Sequence, residues 1–362
     1  MKKIAAVFGT RPEAIKMCPL IKELRRRGAD VRIILSGQHK EMADSVMNVF
    51  GLSADINLSV MREGQDLGSL SSRLTNVLDM LYKKEKFDTV MVHGDTLTAF
   101  FAGILGFFYK IPVAHIEAGL RTYDINNPYP EEFCRRAISL ISSYNFAPTE
   151  SAMKNLLSEG VNPLKIFVSG NTVIDAICQT LNESYTSPLL DFSGRGRLVI
   201  LTAHRRENIG LPMESSFVGI RRVVESYPDL YVIYPVHKNP RVRECAERVF
   251  SGCKRIKLVE PLSVVDFHNL LYRAYFVITD SGGIQEEASY LGKPILLMRC
   301  ETERPEGILS GNIKIIGNSE ASVFSGICSV LENKDEYEKM SQRSFAFGDG
   351  SASKKIADVL LK

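Results

Sequence analysis

The sequence predicts an α/β protein built from two doubly wound, parallel-sheet domains. Three observations carry that expectation. The 362 residues exceed the size at which one hydrophobic core normally stops growing. Short β-branched or aliphatic runs alternate with amphipathic helical patterns, the signature of strands covered by crossover helices. The alternation restarts after a Ser-, Gly- and Pro-rich stretch, SYTSPLLDFSGRGR at 184–197, which reads as an interdomain linker.

Taken in order, MKKIAAVF opens with two lysines before a short apolar run that ends in Gly-Thr-Arg-Pro, which reads as a first strand rather than a signal peptide. Strands are expected near 3–8, 31–36, 88–93, 112–116, 144–147 and 166–168, with helices near 12–27, 40–50, 66–83, 95–109, 131–142 and 150–159. AFFAGILGFFY at 99–109 is too short to span a bilayer and reads as a buried helix, so no membrane partner is expected. A helix near 171–183 leads to the second set, with strands near 198–202, 230–234, 256–259, 275–279, 294–298 and 313–316. The last segment, SASKKIADVLLK, is an amphipathic helix of the kind that packs back on the other domain. Residues 1–170 with 350–362 are therefore expected as the N-terminal domain and 171–349 as the C-terminal one.

Composition narrows the function classes. A net charge of +3, from 45 basic and 42 acidic residues, lacks the basic bias of a nucleic-acid binder, and Arg25 to Arg27 reads as the solvated end of a helix. Seven scattered cysteines with no CxxC pair fit a reducing compartment, by default the cytoplasm, and not a disulfide framework or zinc site. No GxGxxG opens a helix after a strand, and no P-loop, GxSxG elbow, HExxH pair or DxD cluster is present, so neither a nicotinamide nor a metal is expected.

Four groups of residues carry chemistry. The carboxylates Asp95, Glu117, Glu131 and Glu132 follow apolar runs in VMVHGDT, VAHIEAGLRT and NNPYPEE, where an open α/β sheet places its ligand edge. Each has a plain structural reading: an N-cap for Asp95, an ion pair with Arg121 for Glu117, and helix-start acids for Glu131 and Glu132. Together on one edge they point to acid/base work. In FGTRPEAIK a strand ends in a Gly-Thr turn before a helix whose start, with Arg11 and Lys16, favours an anion over a mere cap. In TDSGGIQEEASYLGKP a Ser281-Gly282-Gly283 turn offers backbone amides to a phosphate, with Glu286 and Glu287 within a turn of it for a ribose diol. In TAHRRENIG, His204, Arg205 and Arg206 form a cluster suited to a diphosphate, and His237 and Arg304 repeat the pattern more weakly.

The ordered run FGTRPEAIK, SGQHKEM, VHGDT, HIEAGLRT, YPEE, GNTVIDA, TAHRREN, YPVHKNP, TDSGGIQEEA and ERPEG resembles the non-hydrolysing UDP-N-acetylglucosamine 2-epimerase family over essentially the whole chain. The resemblance implies the GT-B architecture, two Rossmann-like domains with the ligand in the cleft between them and a C-terminal helix returning to the first. It implies interconversion of UDP-N-acetylglucosamine and UDP-N-acetylmannosamine by inversion at sugar C2, without a cofactor, through elimination of UDP, a 2-acetamidoglucal and re-addition. Matched to the family's motifs, Asp95, Glu117 and Glu131 become acid/base candidates, with His204 near the diphosphate. Arg11, Lys16, Arg304, Ser281, Gly282 and Gly283 would hold UDP, with Glu287 on the ribose and Phe267 near the uracil. Gln38, Arg205 and His237 match a second, regulatory UDP-N-acetylglucosamine site. Glu41 and Gly64 stand where that site commonly has a glutamine and an arginine, while Cys300-Glu301 and Cys134 replace an Asp-Thr and an Asn. The resemblance also implies a homodimer serving bacterial surface polysaccharide synthesis. The rival readings are a hydrolysing relative that releases N-acetylmannosamine and UDP, a GT-B glycosyltransferase, and a non-catalytic sugar-nucleotide sensor.

Overall fold

A computed structural model of the chain describes all residues except Gln38, His39, Glu63, Arg206, Glu207, Glu301 and Glu303, and of Lys40 it describes the backbone alone. The described residues form two compact units, Met1–Gln179 with Phe347–Lys362, and Thr180–Ala346. The chain thus passes between units at Gln179 and Ala346, set against the sequence boundaries near 170 and 349. Residues 184–197 lie in the second unit: they contain a short helix at Pro188–Asp191, and Leu189, Leu190 and Phe192 pack against Leu198, Ile200, Ile233 and Leu270. The apolar residues in this Ser/Gly-rich stretch, rather than its composition as a whole, decided its place.

The first unit is a seven-stranded sheet: β1 (Lys3–Phe8), β2 (Asp30–Leu35), β3 (Ile56–Asn57), β4 (Thr89–His93), β5 (Val113–Ile116), β6 (Tyr144–Ala147) and β7 (Ile166–Val168). Its order is β3-β2-β1-β4-β5-β6-β7 and every pairing is parallel. β3, two residues long, is too short to leave a pattern and was not foreseen. Along β1 the period of two sends Ile4, Ala6 and Phe8 to a core shared with the helix Arg11–Arg26, and Ala5 and Val7 to a core shared with Leu70, Leu74 and Leu78 of the helix Leu67–Lys84. Both faces are covered, which is why these strands read as continuous apolar runs. The C-terminal helix, Ala352–Leu360, buries Ile356, Ala357 and Leu360 beside Leu20, Ile21 and Leu24 of Arg11–Arg26. Its first amides, Ala352 and Ser353, donate to Asp175 at 3.2 and 2.8 Å. A side chain of the helix Thr172–Thr180 therefore supplies the cap that the returning helix lacks in its own sequence.

The second unit holds β8 (Arg197–Thr202), β9 (Leu230–Pro235), β10 (Ile256–Val259), β11 (Phe276–Thr279), β12 (Ile295–Leu297) and β13 (Ile313–Ile315). They lie parallel in the order β10-β9-β8-β11-β12-β13. Both sheets reverse their winding next to the first strand of the unit, between β1 and β4 and between β8 and β11. At such switch points adjacent crossovers leave in opposite directions and open a crevice at the carboxyl ends of the strands.

Candidate active site

In the first unit the switch point gathers the ends of β1, β4 and β5. Directly after β5 comes Glu117, whose backbone sits at φ 64°, a left-handed conformation that costs a side-chain-bearing residue energy and persists only where surroundings enforce it. Gly119 two residues on has φ 91°, and a Cβ there would lie 2.3 Å from the Ala152 carbonyl oxygen, so only glycine closes this turn. The Glu117 carboxylate is pinned from two sides: its Oε2 pairs with Lys16 Nζ and accepts from Asn171 Nδ2 at 2.6 Å. The sequence alternative of an ion pair with Arg121 is not what forms. Arg121 is buried and grips Glu159 with Nε at 3.0 Å and Nη2 at 2.8 Å.

Asp95 stands one turn along the edge. Burial pushes its carboxyl up to about 6; the Arg135 guanidinium pulls it down, Glu117 and Glu131 push it further up, and Lys16 pulls it down. The same charges show that Asp95, Glu117, Glu131, Lys16 and Arg135 share one electrostatic neighbourhood. Its side chain keeps 31% of its accessibility, so it can still meet a ligand. The N-cap role that the sequence allowed for Asp95 falls to Thr96, which accepts from the Ala99 amide at 3.1 Å. Glu131 opens the helix Glu131–Ile141 after Pro130. Glu132, the fourth carboxylate, is fully buried and does structural work: it accepts from the Thr122 and Tyr123 amides at 3.1 and 3.2 Å and from Arg135 Nε at 2.7 Å. Arg135 then reaches Asp95 with Nη1 at 3.5 Å.

Three residues that sequence reasoning passed over shape this edge. Arg135 is one; its position three residues past Glu132, on the same helical face, was the available signal. Glu13 is the second. It is buried, and its Oε2 accepts from the Gly9 amide at 3.0 Å, the Thr10 amide at 2.7 Å and the Thr10 hydroxyl at 2.8 Å, while Oε1 takes the Thr96 hydroxyl at 2.7 Å. The amides of the Gly-Thr turn are thus taken by the chain's own Glu13 side chain. Arg11, half-buried, and Lys16 remain as the cations of that segment. The third is His93, buried at the end of β4 with Nε2 3.9 Å from Glu117 Oε2; that nitrogen makes no hydrogen bond to a described residue. Burial holds its pKa down to about 4, so the ring is neutral near pH 7. His115, whose Nε2 bonds the Gly94 carbonyl oxygen at 2.7 Å, is likewise held down to about 3 by burial.

In the second unit Asp280, at the end of β11, organises the switch point. Its carboxylate accepts from the His204 amide at 3.1 and 3.0 Å and the Arg205 amide at 3.0 Å, and its carbonyl oxygen accepts from Arg205 Nε at 3.0 Å. The exposed His204 ring stacks on His237, with centroids 5.6 Å apart and planes 29° from parallel. Ser281 stands at the N-cap position of the helix Gly282–Tyr290 without a side-chain capping hydrogen bond, and the first amides, those of Gly282 and Gly283, have no preceding turn to receive them. A Cβ at Gly283 would meet nothing within 4 Å, which leaves room for a ligand against the backbone. Arg304 is buried, and its Nε donates to Glu286 at 2.6 Å. Glu286 is thereby a partner of the arginine, and Glu287, the next residue on the same helix, is buried with its Oε2 3.6 Å from His268 Nε2. Phe267 lies partly buried on the helix Val264–Arg273, beside Leu271 and Ile295. Gln38 and Arg206, and Glu301 among the departures, lie outside the described residues.

Among the described residues no group of three or more His, Cys, Asp or Glu side chains could hold a metal ion, and no helix is long and apolar enough to cross a membrane. Two Rossmann-like parallel sheets, one with carboxylates and the other with an open helix start at its switch point, define a protein of the GT-B class. The sequence profile of UDP-N-acetylglucosamine 2-epimerase matches residues 22–361, and the chain belongs to that family. It is 46% identical over 360 residues to the Bacillus subtilis UDP-N-acetylglucosamine 2-epimerase, covering 99% of this chain and 95% of that one. It superposes on the S. aureus MnaA–UDP co-structure with a TM-score of 0.95 at 43% identity, covering 99% and 96% of the two chains. The Neisseria meningitidis UDP-GlcNAc 2-epimerase bound to UDP-GlcNAc gives 0.94 at 38% identity, with 99% of each chain covered. A glycotransferase of kitacinnamycin, 13% identical with a TM-score of 0.67, shares the fold alone.

Proposed function

We propose that the chain interconverts UDP-N-acetylglucosamine and UDP-N-acetylmannosamine without hydrolysing either. C2 of the sugar has no adjacent carbonyl, so its proton is not acidic. In the route the side chains support, a base takes that proton as the C1–O bond breaks, the bonding electrons leave with the β-phosphate oxygen, and a 2-acetamidoglucal forms. UDP then adds back at C1 while a second group returns a proton to the opposite face of C2. The observation that carries this reading is the pairing of Asp95, whose carboxyl titrates at about 6, with Glu117, locked between Lys16 and Asn171. A carboxyl near 6 holds appreciable amounts of both protonation states near neutral pH, as an acid/base group must. Glu131 is the third candidate, and base and acid are left unassigned among the three.

UDP is given to the second unit: the Ser281–Gly283 helix start, Arg304 and His204 for the diphosphate, Glu287 for the ribose and Phe267 for the uracil. Arg11 and Lys16 add charge for the leaving group, whose stabilisation is the larger electrostatic demand of the reaction. His237 and Arg205 are the positions for a regulatory sugar nucleotide, and a homodimer is the assembly proposed.

The test is to incubate the protein with UDP-N-acetylglucosamine in deuterated water, with no nicotinamide or metal added, and follow C1 and C2 by NMR. UDP-N-acetylmannosamine bearing deuterium at C2 is expected. Accumulation of free N-acetylmannosamine and UDP would move the chain to the hydrolysing reading, and binding without turnover to that of a sensor.

A further inference from the structure

The edge of the second sheet opposite the one given to UDP carries charge that the proposed reaction does not use. At the amino ends of β8 and β11 lies a cavity of about 480 Å³ lined by Ser193, Arg197, Arg273, Tyr275, Lys293 and Tyr337, with no acidic side chain among its described lining residues. β11 runs four residues from this end to Thr279, so roughly 13 Å of strand lies between the cavity and the Ser281–Gly283 turn.

Each cation is held in place by the fold. Arg197 opens β8 and forks onto Asp229, with Nε at 2.7 Å and Nη2 at 2.9 Å, while its guanidinium lies 5.4 Å from the centre of the Tyr275 ring. Tyr275 stacks on Tyr337, with centroids 4.1 Å apart and planes 11° from parallel, so the two rings form an aromatic wall. Arg273 ends the helix Val264–Arg273 and donates to the carbonyl oxygens of Asn269, Asn182 and Glu183 at 3.2, 3.2 and 2.8 Å. Carbonyl oxygens orient a guanidinium without cancelling its charge. Lys293 stands two residues before β12, and its Nζ lies 5.6 Å from the centre of the Tyr272 ring, over which Arg273 also lies at 5.9 Å.

Among the described residues neither Arg273 nor Lys293 forms an ion pair, and Lys293 Nζ makes no hydrogen bond. Lys293 is partly buried, and burial lowers its pKa with no neighbouring carboxylate to hold it up. A lysine that merely reached into water would feel no such desolvation. Two positive charges over one ring, with a third beside the same cavity, cost free energy that an anion offsets.

We infer that this cavity binds a phosphate-bearing small molecule, its phosphate or diphosphate held by Lys293 and Arg273 and its remainder against the Tyr275–Tyr337 wall. A phosphate dianion meets the two uncompensated charges one for one, and its oxygens suit both a guanidinium and an ammonium. The volume is that of a small-molecule site. None of these side chains has a part in the epimerase reaction, and the site stands independently of it.

The experiment acylates the full-length protein with acetic anhydride, with and without inorganic pyrophosphate, and follows Lys293 by peptide mass spectrometry. Pyrophosphate is expected to slow acylation of Lys293, and sodium chloride at the same ionic strength is not. Calorimetric titration with pyrophosphate is the second readout. Lys293→Met is expected to weaken one pyrophosphate site by on the order of tenfold or more, the value of a hydrogen bond to a charged group, whereas Lys293→Arg keeps it. The labelling result is read on the wild type and so stands whether or not a variant folds. Unchanged labelling of Lys293, protection matched by sodium chloride, or an isotherm that Lys293→Met leaves intact each overturns the inference.

Discussion

At Asp95 the balance of opposing charges sets the pKa. Burial, Glu117 and Glu131 raise its pKa while Arg135 and Lys16 lower it, and the outcome is about 6. The pH profile of kcat/KM is therefore expected to show a limb near pH 6, rising with pH if Asp95 is the base and falling if it is the acid. Removing Arg135 removes a lowering charge, so the limb must move to higher pH in either case. Because Arg135→Met alone would strand the buried Glu132 carboxylate, the double variant Glu132→Gln/Arg135→Met is the one to measure. A limb that stays at pH 6 in that variant would remove Asp95 as its source.

Among the elements, the two turns that end β1 and β4 are joined by Glu13, which satisfies two amides of one turn and the capping hydroxyl of the other. Glu13→Gln turns an acceptor into a partial donor facing those N–H groups. A loss of about 1–3 kcal/mol in urea unfolding is expected, whereas Thr96→Ser, which keeps the hydroxyl, should be nearly silent. The turn after β5 is less forgiving. Gly119→Ala places a methyl 2.3 Å from the Ala152 carbonyl oxygen at φ 91°, so a backbone shift is unavoidable. At least about 2 kcal/mol of destabilisation is expected, with impaired turnover, since Glu117 stands two residues before it. A fully stable and active Gly119→Ala protein would show that the turn can relax at no cost.

For the whole molecule, acid should be more damaging than the net charge of +3 suggests. His93 and His115 are buried and neutral, with folded pKa values of about 4 and about 3 against 6.5 when exposed. Between those limits the unfolded chain binds more protons than the folded one. Their contribution to stability is complete above pH 6.5 and is lost as the pH falls through 6.5 towards 4. Asp95 acts in the opposite sense: its raised pKa makes its contribution greatest at low pH, lost as the pH rises towards 6. The histidine term is isolated by difference. Between pH 6.5 and 4, His93→Gln should lose less stability than the wild type, by at most about 3 kcal/mol in calorimetric unfolding. Parallel pH curves for the two proteins would place the acid sensitivity elsewhere.

What the sequence determined by itself was the ladder of elements and the sheet edge to which the proposed chemistry is given. Strand runs buried on both faces stay apolar throughout, and the ends of β1, β4, β5, β8 and β11 were legible because turn glycines and charged residues interrupt those runs abruptly. Asp95, Glu117 and the Ser281–Gly283 turn followed from that edge. Tertiary structure decided which charge meets which. Arg121 pairs with Glu159 rather than Glu117, Glu132 turns inward to Arg135, Glu286 is taken by Arg304, and Glu13 takes the Gly9 and Thr10 amides. The physical reason is reach: local sequence fixes backbone periodicity through short-range sterics and burial, whereas ion pairs form between side chains that the fold brings together from distant positions. Lys16 and Glu117 are 101 residues apart in the chain and in contact at the switch point, a fact no local pattern contains.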